Sequence, residues 1–227
     1  MAFKPSANLP EQLARDIGEK IIRGEWKPGD RILEARLAEE TGISRSPVRE
    51  ALRILEKQKL VELIPRKGAR VTLISASHIE WFYDIFESLY GLVARKAAQN
   101  AGEEERRDLR KALERIETAA AAQDVEAYYG GIFDFAAVGL KASQNPLLIS
   151  ILTDLGPSNR RIQYASLASR GDELASNVRF FRKMHSHLVA GEVTELENIV
   201  QAYARNEKEF ALAIANGDGP SAAETGR

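Results

Sequence analysis

Two arginines four residues apart, Arg45 and Arg49, stand among Ser44, Ser46 and Arg53. This group is the part of the chain best suited to chemistry with a polyanion. A guanidinium offers a planar fork of donors that matches the paired acceptors of a guanine edge or a phosphate. Serine hydroxyls near a helix N-terminus bond phosphate oxygens beside the favourable end of the dipole. The segment also carries the residues that would position these groups. Gly42 stops one helix, Ser44 stands where a hydroxyl caps the next, and Pro47 fits a first turn that has no use for its missing N–H. Val48, Ala51, Leu52 and Leu55 recur at helical spacing, so they turn inward and leave Arg45, Ser46, Arg49 and Arg53 facing out. A helix of this kind is what a helix-turn-helix protein lays in the DNA major groove. The competing reading is a solvated helix face, with Arg49 or Arg53 paired to Glu50 or Glu56.

The flanking sequence supplies the rest of such a module. Leu9, Leu13, Ile17, Ile21 and Ile22 form one apolar stripe that ends at Gly24, and Trp26 to Asp30 reads as a turn built on Pro28 and Gly29. A second helix is expected over Glu34 to Thr41 with Leu37 and Ala38 inward, and the third from the Ser44 cap to about Lys57. The period then changes. Leu60–Ile64 and Ala69–Leu73 read as strands joined by Pro65-Arg66-Lys67-Gly68, a hairpin wing that carries Arg66 and Lys67 to a duplex backbone or minor groove.

From residue 75 onward only helical periodicity remains. Ser75-Ala76-Ser77 reads as a hinge and helix cap, followed by helices over 78–100, 103–122, 124–143, 146–169, 172–190 and 193–215, and a disordered tail over 216–227. The expected fold class is mainly α: a winged helix-turn-helix over 1–74, then an all-α helical bundle over 78–215.

Composition narrows the function. The chain has 227 residues, 44% of them apolar, enough for two cores. Residues 1–75 carry 15 Lys/Arg against 11 Asp/Glu, whereas the remainder carries 17 against 22, so the positive excess lies where nucleic acid would be met. Cysteine is absent, which excludes disulfides and thiolate metal sites. No run approaches the ~18 apolar residues of a membrane span, and a soluble, cytoplasmic protein with no membrane partner is expected. An enzyme is not expected. The sequence has no phosphate loop, no cysteine nucleophile and no metal-ligand cluster, and His78, His185 and His187 lack placed partners.

Residues 9–74 resemble the DNA-binding domain of the GntR family of bacterial transcription regulators. The resemblance rests on Pro28-Gly29-Asp30-Arg31-Ile32, Leu37-Ala38, the run Ile43 to Leu52, and Leu60-Val61 before Gly68. Residues 78–215 resemble the all-helical FCD effector domain through Ala97-Ala98, the segment Phe135 to Leu148, and His185 before a final long helix. The resemblance implies a homodimer on an inverted-repeat operator in double-stranded DNA, controlled by a small metabolite. It places DNA contacts on Arg36, Ser44, Arg45, Ser46 and Arg49, with Lys67 and Gly68 at the wing; the hairpin reading adds Arg66.

The second domain departs from its family. Many FCD domains hold a divalent metal through an aspartate, a histidine four residues later and two further histidines. The first two positions fall here on Ile132 and Ala136, and the last near Asn206, leaving His185 alone. No family-type metal, and no other cofactor, is therefore expected. The usual arginine-to-glutamate pattern on the first effector helix reads Phe86 and Tyr90. A drier pocket biased toward an apolar or aromatic metabolite follows from Phe86, Tyr90, Ile132 and Ala136, with Asn206 beside them and His185 either a leftover polar contact there or a satisfied surface histidine. Arg160 and Arg161 either receive an effector carboxylate there or form a solvated pair. The function expected is a sequence-specific, metabolite-controlled regulator, most simply a repressor. The alternative is a ligand-independent DNA-binding protein with a degenerate effector domain.

Overall fold

The computed structural model describes residues 8–65, 67–167 and 174–216. Its contacts divide the chain into two compact units, one of Met1–Ile74 with Thr153–Ala165, the other of Ser75–Leu152 with Ser166–Arg227. Each is taken by itself.

In the first unit, α1 (Leu9–Ile22) begins with a proline in its first turn and buries Leu13, Ala14, Ile17, Ile21 and Ile22. The chain then turns through Gly24 and Gly29, both at positive φ. The Lys27 N–H bonds the Asp30 carboxylate at 2.7 Å, as the turn residues required. A two-residue strand follows, β1 (Arg31–Ile32), which the sequence did not suggest. Next come α2 (Glu34–Thr41), stopped by left-handed Gly42, and α3 (Arg45–Lys57). The wing is β2 (Val61–Ile64) and β3 (Gly68–Val71), with β3 central in the order β1-β3-β2 and Val61 opposite Val71. Val48, Ala51, Leu52, Leu55, Leu60, Ala69 and Val71 are wholly buried together under α1. Each buried Val or Leu contributes roughly 1.5–3 kcal/mol to holding α3 in place.

The second unit is helical throughout its described residues: α4 (Ala76–Asn100), α5 (Glu103–Ala121), α6 (Val125–Ala142), the start of α7 (Pro146–Leu167), α8 (Leu174–Ala190) and α9 (Val193–Ala215). α4 runs along α9, and α5 along α6. Its helix starts are capped where the sequence placed stops. Ser75 Oγ accepts from the His78 N–H, Asp124 from the Ala127 N–H at 2.9 Å, and Asn145 from the Leu148 N–H at 3.2 Å. Ala76 and Ser77 are already helical, so Ser75 alone does the capping. Gly131 lets α6 press on α5, since a Cβ there would stand 2.9 Å from Ile116.

α7 carries Pro157 in its interior. Proline removes the helical bond to the carbonyl four residues back. Here that carbonyl belongs to Thr153, the residue at which α7 passes into the first unit. The expected mainly α fold stands. No described helix is long and apolar enough to cross a membrane. The tail expected to be disordered, beyond Asn216, lies outside the described residues, as does Arg66.

Candidate nucleic-acid interface

The two faces of α3 have separate tasks. Val48, Ala51, Leu52 and Leu55 show no solvent exposure, whereas Arg45, Ser46, Arg49 and Arg53 on the other face are exposed. Ser44 occupies the N-cap position in extended backbone, yet its hydroxyl makes no capping bond. The expected cap is therefore corrected: the hydroxyl is left available beside the first-turn N–H groups. Arg45 has no hydrogen bond or ion pair among the described residues, and Arg53 pairs with Glu50 at 2.7 Å, as a solvated face would have it. Arg49 does otherwise. It reaches across to Glu34, the first residue of α2, with Nη2 2.9 Å and Nε 3.2 Å from the carboxylate. Arg36, exposed on α2, bonds Glu40 one turn on at 2.7 Å.

The wing presents Lys67, exposed, with its N–H closing the turn onto the Ile64 carbonyl at 2.9 Å. Gly68 has a structural reason to be glycine. Its φ is +86°, and a Cβ would lie 2.2 Å from the Ile32 carbonyl oxygen. This close approach is what admits β1 to the sheet.

The Glu34 carboxyl is held below the ordinary carboxylate range, first by the Arg49 hydrogen bond and then by the charges of Arg49, Arg45 and Arg53, against partial burial. Arg49 is raised in return. Glu34 escaped the sequence reading because 15 residues separate it from Arg49 and no local spacing links them. Arg31 and Arg70 were missed for a similar reason. They face each other across β1 and β3, a like-charge pair visible only once the register is known, with Glu62 opposite Arg70 on the far strand.

Of the eight residues nominated for an effector, six lie in the second unit. Phe86 is buried against Phe82, Tyr83 and Tyr90, the last with ring centroids 4.2 Å apart. Desolvation pushes the Tyr90 hydroxyl up to about 12. Ile132 is buried and Ala136 half-buried on α6, one turn apart, and Phe135 between them meets Phe181 edge-on. Asn206 reaches Asn177 on α8 at 3.5 Å. His185 instead borders an open groove of about 600 Å³ between α5 and α8, with Arg110, Glu117 and Arg182. Desolvation and the Arg110 cation lower its pKa. His187, expected to lack a partner, pairs with Glu192 at 2.6 Å.

Arg160 and Arg161 are not a solvated pair. They lie in the first unit, where Arg160 bonds Glu19 at 3.0 Å and Arg161 bonds the Thr72 hydroxyl and carbonyl at 2.7 and 2.9 Å. Arg161 is 5% exposed, and burial brings its guanidinium down to about 10. An alternation of apolar and polar residues could not reveal this, because Ser158, Asn159 and Gln163 are buried beside it.

Residues 9–71 match the family described as bacterial regulatory proteins, gntR family, and residues 81–225 match the FCD domain. The chain belongs to the GntR family. As a GntR protein with an FCD domain, it is a DNA-binding transcription regulator. It is 29% identical over 200 residues, 88% of this chain and 83% of the relative, to the HTH-type transcriptional regulator YdhC of Bacillus subtilis. It is 26% identical over 164 residues to the gluconate operon transcriptional repressor of Bacillus licheniformis, covering 72% of this chain and 67% of that one. Among solved structures, Escherichia coli McbR/YncC superposes with a TM-score of 0.77 at 20% identity, covering 89% of this chain and 96% of that one, which shows the shared fold.

The divalent metal of many FCD domains does not fit the GntR chain described here. The two α6 positions that would supply its aspartate and first histidine are Ile132 and Ala136, neither of which can coordinate. Among the described residues no three His, Cys, Asp or Glu side chains gather around a point that could hold a metal.

Proposed function

We propose that this GntR regulator acts as a homodimer that grips an inverted-repeat operator in double-stranded DNA and releases it when a small organic metabolite binds the helical domain: a cytoplasmic repressor. The observation that carries the reading is the division of α3. A fully sealed apolar side fixes the helix, while Arg45, Ser46 and Arg49 stand exposed on the other. We assign DNA contacts to Arg36, Ser44, Arg45, Ser46, Arg49, Arg66 and Lys67, with Gly68 shaping the wing. The helix reads base edges and the wing positions the backbone.

Dimerisation is supported by exposed apolar side chains on the second unit. Trp81 and Ile85, one turn apart on α4, are 65% and 56% exposed, and Leu147 and Ile151 on α7 are 70% and 40% exposed. Large apolar side chains at such exposure suit a second copy of the same surface. The metabolite class follows from Phe86, Tyr90 and Ile132, whose surroundings are apolar and aromatic.

Replacing Arg45 with alanine tests the reading. Specific operator binding is expected to fall by the roughly 1–3 kcal/mol of a bidentate base contact, with helicity and dimer mass unchanged. Undiminished specific binding would remove α3 as the recognition helix. For the ligand, organic acids and aromatic metabolites are screened by thermal shift and operator release. A panel that moves neither leaves the ligand-independent protein with a filled helical domain, the reading that the packed Phe86–Tyr90 pair would then favour.

A further inference from the structure

The Glu34–Arg49 pair joins α2 to α3 through two nitrogens of one guanidinium. Arg53–Glu50 is local, both partners more than half exposed; Lys57–Asp154 lies at the far end of the helix, and Arg45 has no ion pair among the described residues. Glu34 reaches from another helix, its side chain only 23% exposed, and its carboxyl is held below the ordinary range first by the Arg49 hydrogen bond and last by the charges of Arg45 and Arg53.

The atoms matter more than the charge. A guanidinium has a side-on fork of Nε and one Nη, and an end-on fork of Nη1 and Nη2. Glu34 accepts from Nε and from Nη2, so it occupies the side-on fork. Among the described residues nothing accepts from Nη1. The end-on fork is therefore open, on a side chain 55% exposed to solvent. Arginine on a helix surface ordinarily samples many rotamers, and a partner on a neighbouring helix restricts them.

We propose that Glu34 is a positioning residue for operator recognition: it holds Arg49 by one fork and aims the other at a guanine edge. The inference rests on Arg49 as a DNA contact. It makes Glu34 a determinant of sequence choice although its own carboxylate accepts nothing from DNA. The opposite arrangement, a carboxylate that competes with DNA for Arg49, predicts the reverse behaviour.

The test uses the full-length protein and a duplex selected by it from a randomised pool. Binding of the wild type, Arg49→Ala, Glu34→Gln and Glu34→Asp is measured against that duplex and a panel with each base pair replaced in turn. Arg49→Ala identifies the base pair that Arg49 reads. Glu34→Gln is expected to lose roughly fivefold to tenfold in affinity for the selected duplex, with discrimination falling at that same base pair and holding elsewhere. Glu34→Asp, which keeps the charge but shortens the reach, falls between the wild type and Glu34→Gln, and in an Arg49→Ala background neither change alters discrimination. Equal or tighter binding by Glu34→Gln with an unchanged panel overturns the inference, as does a loss spread evenly over all base pairs. A panel indifferent to Arg49→Ala overturns the DNA assignment of Arg49 and the role of Glu34 with it, a pattern distinct from the failure of Glu34 alone.

Discussion

The N-terminal module and the helical domain carry function in opposite ways. In the module, the side chains proposed to meet DNA stand on the outside of a helix whose inner face is closed, so Arg45 and Ser46 take no part in the buried packing. In the helical domain, the residues nominated for a ligand are part of the packing. Phe86 closes an aromatic cluster with Phe82, Tyr83 and Tyr90, and Ile132 is buried. On the proposed function, fold and function are separable in the first region and shared by the same atoms in the second. A regulator gains from this division. A reading head needs fixed geometry, whereas a sensing domain responds by shifting between states that its ligand tells apart.

Core substitutions press this contrast hardest. Leu52→Ala opens a cavity beneath α3 and is expected to cost about 2–5 kcal/mol, visible as a lower denaturant midpoint, with loss of operator binding following from it. Arg45→Ala changes stability by no more than about 0.5 kcal/mol while specific operator binding falls by roughly 1–3 kcal/mol. Phe86→Ala is expected to cost about 3–5 kcal/mol of stability and to abolish any metabolite response together with it. A Phe86 variant that kept its melting temperature but lost the response would show that the two regions are not so different.

The wing supplies a subtler comparison within the module itself. Lys67 is an exposed point charge at the turn before Gly68, suited to phosphate and not to base edges. Lys67→Ala is expected to weaken binding to all duplexes alike and to lower the slope of log K against log salt by about one. Arg45→Ala instead takes its toll on the selected duplex. Sequence-dependent loss on removing Lys67 would transfer reading duty from α3 to the wing.

This difference also governed what could be read beforehand. The spacing of Val48, Ala51, Leu52 and Leu55 placed α3 in register, and the opposite face followed, because exposure needs no partner. Helix bounds among the described residues came within a few residues for the same reason, the expected ends at 169 and 172 lying outside them, and α2 and α3 fell where Gly42 and Lys57 put them. What stayed hidden depends on pairs distant in sequence. β1 is two residues long and leaves no period; it exists because Gly68 gives room to the Ile32 carbonyl. Arg49 meets Glu34, and Arg161 meets Thr72, 89 residues away. His187 found Glu192 only through the left-handed turn at Gly191. A pocket is made of such distant encounters, so the ligand site was the less legible of the two.

The smallest expected effect separates the two regions by pH. His185 sits below its ordinary value of 6.5, because desolvation first and the Arg110 cation second disfavour the charged ring. The unfolded chain therefore takes up a proton at higher pH than the native one. Between 6.5 and the folded value the unfolded state holds more protons, so stability rises with pH across that window. The full contribution is present above 6.5 and is lost as pH falls through the folded value. In the module, Glu34 is also lowered, but from 4.5, so its loss begins only in more acid solution. His185→Gln is expected to flatten the denaturant midpoint just below pH 6.5 and leave the acid limb intact, whereas Glu34→Gln is expected to soften the acid limb alone. If His185→Gln left the upper slope in place, the ring would be as well solvated in the native domain as in the unfolded chain, and the α5–α8 groove would not be the environment that holds it neutral.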